Sequence, residues 1–365
     1  MSSNVRLYQI DLLRFIAALS VLLCHYTFGG YKANNGWSNL EFSTLGDIFK
    51  YGYLGVHLFF IISGFVIILS IQDGNVFNFI RSRITRLYPA YWFCVTMTFL
   101  VMYFFGAPVF FANFKEYCIN LTMFQRYFNI KNIDAVYWTL AIELKFYFLI
   151  VLYLLFNLYK KIDIKYFIYF LLFITILPKI LHTDNEILSV FFSLFDTSFN
   201  SFFIAGMLFY KIYTGGNKLI YNTLLLLCCA LSLKSIQHEI VSLSQHYQTP
   251  FNNIVVYSIL LLFYTVMYLC STKKLSSFNK PLFVKLGILT YPLYLIHENI
   301  GFIIFNNLDR YINKYVLLVG TTALMLLVAY LIHIYIEKPF SVYLKTKIML
   351  AKTYFDKKKS GITAG

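Results

Sequence analysis

The sequence predicts an all-α, polytopic membrane protein with about ten transmembrane helices around a central cavity. Hydrophobic residues make up 59% of the chain and charged residues 13%, with a mean hydropathy of +0.67. A soluble domain is about a quarter charged. Apolar runs of roughly the length that crosses a bilayer also recur along the whole chain. The aromatic fraction of 20%, mostly Phe and Tyr, suits lipid-facing surfaces and interfacial belts.

Ten apolar segments are candidates for the membrane spans, and the fifth and seventh are short. Their predicted bounds are 9–28, 54–71, 88–105, 137–157, 165–181, 188–213, 219–235, 251–270, 284–306 and 315–336. The longest polar connections are 29–53 and 106–136. We divide the chain into a membrane-embedded domain, 1–340, and a basic cytoplasmic tail, 341–365.

The distribution of positive charge predicts that both termini are cytoplasmic. With the N-terminus inside, about two thirds of the 31 Lys and Arg residues fall in the termini and the cytoplasmic connections, as the positive-inside rule requires. Topology and attraction to anionic lipid therefore explain the net charge of +15 better than nucleic-acid binding does. The six cysteines show no metal-ligand spacing, so we predict no metal site.

The first predicted helix contains two side chains that are costly in hydrocarbon, Arg14 and His25, in "LLRFIAALSVLLCHY". Eleven residues turn a helix by about 1100°, within about 20° of whole turns, and rise roughly 16 Å. Both side chains therefore project from one face, which must contact protein or water rather than lipid. Ionisable residues inside a membrane are usually functional.

Depth along the predicted helices groups the polar residues into two layers. The outer layer contains His25, His57, Glu143, His297 and Glu298, and the inner layer contains Asp11, Arg14, Arg83, Arg86 and Glu337. We therefore expect His25 to meet a carboxylate at its own depth and Arg14 to lie with the cytoplasmic basic groups. Structural explanations stay open: a satisfied core position for His297, a topology anchor for Arg83 and Arg86, an interfacial anchor for Trp138, and close packing for Ser63–Gly64.

Six motifs in register give the sequence a resemblance to acyltransferase family 3, the integral-membrane acyltransferases that decorate bacterial surface sugars and other acceptors. The motifs are Arg14 and His25 in "IDLLRFIAALSVLLCHY", then "GVHLFFIISGFVI", "RITRLYPAYW", "WTLAIELKFYF", "YPLYLIH" and "IEKPF". They cover the chain from about Leu7 to Phe340. One departure is His57, where the family commonly has an acidic residue.

The resemblance implies an acyl-CoA donor, usually acetyl-CoA, and a hydroxyl acceptor. The implied protein is a multi-pass protein of the bacterial inner membrane that acylates a surface carbohydrate such as O-antigen, capsule or exopolysaccharide, possibly lipid-linked. His25 would be the general base or a transient acyl carrier, Glu143 would orient its ring, and Arg14 would be the third catalytic residue. Arg14, Arg83 and Arg86 would bind the phosphates of CoA, which suit the guanidinium fork. Trp138, His57 and His297 are candidates for substrate contact.

Three alternatives compete with this interpretation: a transporter or flippase of lipid-linked sugars, a polysaccharide polymerase, and a non-catalytic sensor. A transporter would favour helices broken by Gly or Pro and repeated in two halves, and no internal repeat is visible. The outer connections contain residue types that suit a sugar acceptor, namely Asn34, Asn35, Trp37, Asn113, Arg126 and Tyr127. The sequence predicts neither the oligomeric state nor the acceptor.

Overall fold

A computed structural model describes residues 7–33, 36–160, 162–181, 188, 192, 195, 198–216, 218–278 and 280–359. Every regular element in these residues is helical. The long helices are α1 (Tyr8–Cys24), α2 (Gly55–Ser70), α3 (Val76–Phe105), α4 (Trp138–Lys160), α5 (Ile164–Leu181), α6 (Asn200–Tyr213), α7 (Lys218–His246), α8 (Asn253–Ser271), α9 (Thr290–Leu308), α10 (Lys314–Ile332) and α11 (Lys338–Lys359).

Each predicted span corresponds to one of the helices α1 to α10. Among the described residues, eight helical segments are long and apolar enough to cross a membrane. The remaining two predicted spans correspond to α5 and to α6, which has 14 residues and is buried along nearly its whole length. The class of an all-α polytopic membrane protein is thus confirmed, whereas the number of spans and the side of the termini stay predictions.

Short helical segments connect the long ones. They are Gly30–Lys32, Ser43–Phe49, Lys50–Leu54, Phe114–Asn120, Gln125–Phe128, Ala135–Tyr137, Ser276–Phe278 and Leu282–Gly287, with π-helical turns at His25–Gly29 and His333–Glu337. Asparagine caps several helices, because its side-chain oxygen accepts the otherwise unpaired backbone N–H groups of the first turn. Asn75, Asn252 and Asn313 cap α3, α8 and α10, and Asn113 forms a capping box with Glu116.

The start of α3 differs from the prediction. We expected the third helix to begin at residue 88, with Arg83 and Arg86 before it, but α3 begins at Val76 and contains both arginines. Its first turns mix apolar residues with Asn78, Arg81, Ser82, Arg83 and Arg86, and these polar residues keep the hydropathy of the stretch below that of a membrane span. The result places the two arginines one turn apart, so that they lie on the same side of a rigid helix.

Glycine allows α2 and α6 to approach each other closely. A Cβ added at Gly64 would clash with the carbonyl oxygen of Phe203, and one at Gly206 would clash with that of Ile61. Small residues at such contacts let helix backbones pack directly in membrane proteins. Gly64 therefore has the packing role that we predicted for Ser63–Gly64, and the contact fixes α2, on which Ser63 lies.

The outer end of α1 packs against α9 in a similar way. The Tyr26 hydroxyl donates a hydrogen bond to the carbonyl oxygen of His297 at 2.7 Å. Its ring lies against Gly301, where a Cβ would clash with it. The neighbouring residue, His25, begins a π-helical turn that ends at Gly29. These contacts hold His25 against α9.

The basic tail continues the last span as a helix. The π-helical turn His333–Glu337 joins α10 to α11, and the boundary predicted at residue 340 falls within α11. Ser341 Oγ donates to the Thr85 carbonyl oxygen at 2.6 Å, and the Lys352 ammonium lies 4.5 Å from the centre of the Phe77 ring. Arg81 also contacts Met349. The tail thus packs along α3.

Candidate active site

A cavity lies between α1, α2, α3, α4 and α9, with an empty volume of about 760 Å³ that includes space open to solvent. Apolar side chains of α2 form much of its wall. The polar residues that line it are Arg14, Ser63, Arg83, Arg86, Thr139, Glu143, Tyr147, Thr290, Tyr291 and Tyr294. The cavity therefore joins motifs that are more than 270 positions apart in the sequence.

Three guanidinium groups and one carboxylate give this cavity an excess of positive charge. The Arg83 guanidinium lies 5.4 Å from the centres of both the Phe79 and Tyr147 rings, and contacts of this kind hold the planar group in one orientation. Arg14, Arg83 and Arg86 come from two helices, and the structure brings them together as we expected. The arrangement suits a ligand with several negative charges.

Glu143 belongs to this cavity and not to the surroundings of His25. Its Oε1 accepts hydrogen bonds from Ser63 Oγ at 2.9 Å and from Tyr147 Oη at 2.6 Å. The prediction that Glu143 orients His25 is therefore wrong. We had assigned depth by counting residues from the start of each helix, but the segment that leads into α4 is already buried, at Asp134 and Val136. Glu143 consequently lies at the level of the inner-layer arginines.

The carboxylate beside His25 is Glu298. His25 Nδ1 and Glu298 Oε1 are 2.7 Å apart, the His25 side chain is 24% exposed and the Glu298 side chain is 1% exposed. An ionised carboxylate accepts but does not donate, so the neutral ring donates from Nδ1 and keeps an electron pair on Nε2. The π-helical turn at His25 is a local distortion that is frequent at functional sites. His25 thus meets a carboxylate at its own depth, as predicted, although we had named a different partner.

Asp134 is a residue that our sequence reasoning missed. Its Oδ1 accepts from Val136 N at 3.3 Å and its Oδ2 from Asn299 N at 3.1 Å. Val136 N also donates to Glu298 Oε2 at 3.0 Å, so one backbone N–H bridges the two carboxyl groups. Burial and the neighbouring Glu298 carboxylate raise the pKa of Asp134 well above its ordinary value. His25, Glu298 and Asp134 therefore form one polar cluster that is connected through Val136 N.

His297 lies beside this cluster, with its ring centre 5.3 Å from that of His25. Its Nδ1 donates to the carbonyl oxygens of Tyr294, at 2.9 Å, and Leu293, at 3.2 Å. Its buried Nε2 has no hydrogen-bond partner among the described residues. A core position would normally satisfy both ring nitrogens, so the purely structural explanation of His297 does not account for this geometry.

Tyr294 separates the cavity from the histidines. Its hydroxyl donates to the Val136 carbonyl oxygen at 3.1 Å and pairs with Thr139 Oγ1 at 2.8 Å. Its ring lines the cavity on one side and lies 5.8 Å from the His297 ring on the other. His25 does not line the cavity. Tyr294 therefore lies between the cavity and the His25–His297 pair.

A family model described as "Acyltransferase domain", Acyl_transf_3, matches residues 7–334. The chain belongs to the acyltransferase 3 family. It is also 36% identical over 100 residues to "Acyltransferase MdmB" of Streptomyces mycarofaciens. That alignment covers 27% of this chain and 23% of the relative, so the chain spans less than a quarter of the length of the curated protein it matches. No solved structure matches.

Two further candidate residues of this acyltransferase 3 family member lie away from both regions. His57, at the position that departs from the family pattern, pairs through Nε2 with Glu239 Oε2 at 2.8 Å and does not line the cavity. Trp138 is 37% exposed and packs its ring against Phe199. Neither contact supports the substrate roles that we predicted for them. Asn34 and Asn35, two candidates for acceptor contact, lie outside the described residues.

Proposed function

We propose that this chain is a membrane-bound O-acyltransferase of the bacterial inner membrane. It would move an acyl group, in the simplest case acetyl, from cytoplasmic acyl-CoA to a hydroxyl of a cell-surface polysaccharide such as O-antigen, capsule or exopolysaccharide. Membership of the acyltransferase 3 family supports the acyl-transfer reaction. The observation that carries the proposal is the His25–Glu298 pair next to a cavity lined by three arginines.

The cavity has the chemistry that an acyl-CoA donor needs. CoA carries several phosphate charges, and guanidinium groups bind phosphate through two parallel N–H donors. Arg14, Arg83 and Arg86 would bind these phosphates. The pantetheine arm is thin and largely uncharged, so it suits the apolar wall that Phe59, Ile62 and other side chains of α2 form. The thioester would then lie near Tyr294, and the Tyr294 side chain would have to move aside for the thioester to reach His25.

The His25–Glu298 pair supports a direct transfer with His25 as the general base. His25 Nε2 accepts the proton of the acceptor hydroxyl while the hydroxyl oxygen attacks the thioester carbon. The carbon–sulfur bond breaks, and the leaving thiolate takes the proton back from His25, which gives CoA thiol and an ester. Glu298 stabilises the transient imidazolium and holds the ring so that Nε2 remains the basic nitrogen.

The proposal is tested with the full-length protein in native membrane vesicles supplied with radiolabelled acetyl-CoA and the surface glycan of cells that lack this protein. We expect the wild type to place label on the glycan as an ester that mild base releases. His25→Ala, expressed at the same level, should leave the glycan unlabelled. Mass spectrometry of glycan from wild-type and deletion cells should show the loss of about one acetyl mass per modified unit.

Two results would refute the proposal. One is a glycan that stays unlabelled in vesicles with wild-type protein, although that protein is expressed normally in the membrane. In this case the vesicles must also hydrolyse no acetyl-CoA, so that the labelled donor is still present. The other is unchanged glycan mass in deletion cells together with loss of glycan from the cell surface, which would indicate a flippase or a polymerase instead.

A further inference from the structure

We propose that Asp134 is protonated in the resting protein and acts as a neutral hydrogen-bond donor to Glu298. Asp134 is then a positioning residue, which leaves Glu298 as the anion that faces His25. The consequence for catalysis rests on the proposed function, whereas the protonation state of Asp134 does not.

The carboxyl groups of Asp134 and Glu298 lie close together. One backbone N–H, that of Val136, donates both to Asp134 Oδ1 at 3.3 Å and to Glu298 Oε2 at 3.0 Å. The two acceptor oxygens must therefore lie near each other. Two ionised carboxylates at such close range would repel each other, whereas one proton between them would turn the repulsion into a hydrogen bond.

Both carboxyl groups are also buried. Asp134 is 0% exposed and Glu298 is 1% exposed, so water does not screen a second negative charge. The titratable groups that face Asp134 in the described structure are, besides Glu298, the side chains of Tyr26, Cys94, Tyr137 and Tyr294. Each of these is neutral or negative, and none supplies a positive charge. Two adjacent carboxyl groups in such surroundings hold one proton between them.

The partners of the two carboxyl groups indicate which of them holds the proton. Glu298 has a partner that becomes positive when it accepts a proton, because its Oε1 lies 2.7 Å from His25 Nδ1. Asp134 has no such partner among the described residues, where its oxygens accept from the backbone N–H groups of Val136 and Asn299. The negative charge is therefore more stable on Glu298, and the proton belongs to Asp134.

This arrangement has a use in the proposed reaction. Glu298 contacts His25 and accepts a hydrogen bond from Val136 N, and a protonated Asp134 would donate a third bond, so its carboxylate has one fixed orientation. Asn299 Nδ2 also donates to the Ile133 carbonyl oxygen at 2.7 Å, which holds the segment around Asp134 against α9. A base whose supporting carboxylate cannot rotate keeps its ring in the reactive geometry.

Infrared spectroscopy of the full-length protein in lipid tests the protonation state directly. A buried carboxylic acid has a carbonyl band separate from those of carboxylates and amides. We expect this band to shift when aspartate carboxyl groups are labelled with ¹³C and to disappear in Asp134→Asn. Asp47→Asn, which changes an exposed partner of Lys50, is the control and should leave the band in place. A band that shifts on glutamate labelling instead, or that persists in Asp134→Asn, overturns the proposal.

Kinetics test the positioning role. Asn is neutral and can donate to Glu298, so Asp134→Asn should keep kcat within about fivefold of the wild type, whereas Asp134→Ala should lower kcat by about 10–100-fold, as loss of a residue that orients a reactive group typically does. The KM for acyl-CoA should stay within about twofold in both variants, because Asp134 lies outside the donor cavity. Equal impairment of both variants, or no effect in either, refutes the positioning role. If the wild type transfers no acyl group, the proposed function is wrong. The infrared experiment still tests the protonation state of Asp134 independently.

Discussion

The arginine-lined cavity and the His25 cluster use ionisable residues in opposite ways. In the cavity, Arg14, Arg83 and Arg86 surround space open to solvent, and Glu143 is the one carboxylate that lines it. In the cluster, Asp134 and Glu298 are almost completely buried and each accepts backbone hydrogen bonds. The cavity thus offers charge to a ligand, whereas the cluster satisfies its charges internally and leaves Nε2 of His25 available for chemistry.

This difference implies that the two regions control different steps. A charged cavity binds a polyanion by electrostatic attraction and hydrogen bonds, and changes there alter affinity. A cluster of fixed hydrogen bonds orients a reactive nitrogen, and changes there alter the chemical step. We therefore expect variants of the cluster to lower kcat and variants of the cavity to weaken donor binding.

The largest effect should follow from removing the base itself. His25→Ala should lower kcat by about 10²–10⁴-fold, the contribution that general bases usually make. Affinity for acyl-CoA should be unchanged, because His25 does not line the cavity. Transfer assays in vesicles, combined with equilibrium donor binding to the purified variant, measure both quantities. A variant with normal kcat, or one that has lost donor binding, would contradict the separation of the two regions.

The second prediction compares the loss of charge at Glu298 with the loss of charge at Glu143. Glu298→Gln should lower kcat by about 10²-fold or more, since a base loses the anion that holds its tautomer and stabilises its protonated form. Glu143→Gln removes the negative charge from the arginine-lined cavity and should mainly change the dissociation constant of acyl-CoA. The ratio of kcat values for the two variants is the measurement. If Glu143→Gln causes the greater loss of kcat, Glu143 and not Glu298 supports the base.

The positions of Glu143 and Glu298 in the structure show how much of the site the sequence could predict. Depth along the predicted helices and the family resemblance correctly placed Arg14 with Arg83 and Arg86, because charge asymmetry and regular helix geometry depend on local sequence. Glu298 was recognised as an outer-layer residue at the depth of His25. Its pairing with His25 could not be derived, because it depends on how Tyr26 packs against Gly301 and on the π-helical turn at His25.

Asp134 was missed for a related reason. It lies in the connection 106–136, where a polar residue before a helix looks like an ordinary cap, and its side chain does accept from Val136 N. The sequence offers one weak signal, an acidic residue three positions before the buried aromatic Tyr137. Only the folding of this connection onto α9 reveals that the cap is buried beside a second carboxyl group.

The third effect concerns the arginines of the cavity. Arg83→Ala and Arg86→Ala should each weaken acyl-CoA binding by about 10–100-fold, because a hydrogen bond to a charged group is worth about 1.5–3 kcal/mol. The loss should be smaller at high salt, which screens charges that are open to solvent. Arg81→Ala is the matched control, since Arg81 lies on the same helix but contacts Met349 and Phe77. Donor binding measured by calorimetry should therefore separate Arg81 from its two neighbours, and equal losses in all three would indicate a general charge effect.

The smallest effect is expected at His57, which lies in neither region. His57→Gln can keep a hydrogen bond to Glu239, so transfer activity should stay within about threefold of the wild type, while imperfect replacement of a buried pair should cost roughly 1 kcal/mol of stability. We expect the midpoint of thermal unfolding in detergent to fall by a few degrees, and Glu239→Gln should behave alike because it changes the same pair. Acceptor KM and the unfolding midpoint measure the two properties. A tenfold rise in acceptor KM in both variants would show that the pair contacts substrate, and a third functional region would then have to be added to the cavity and the cluster.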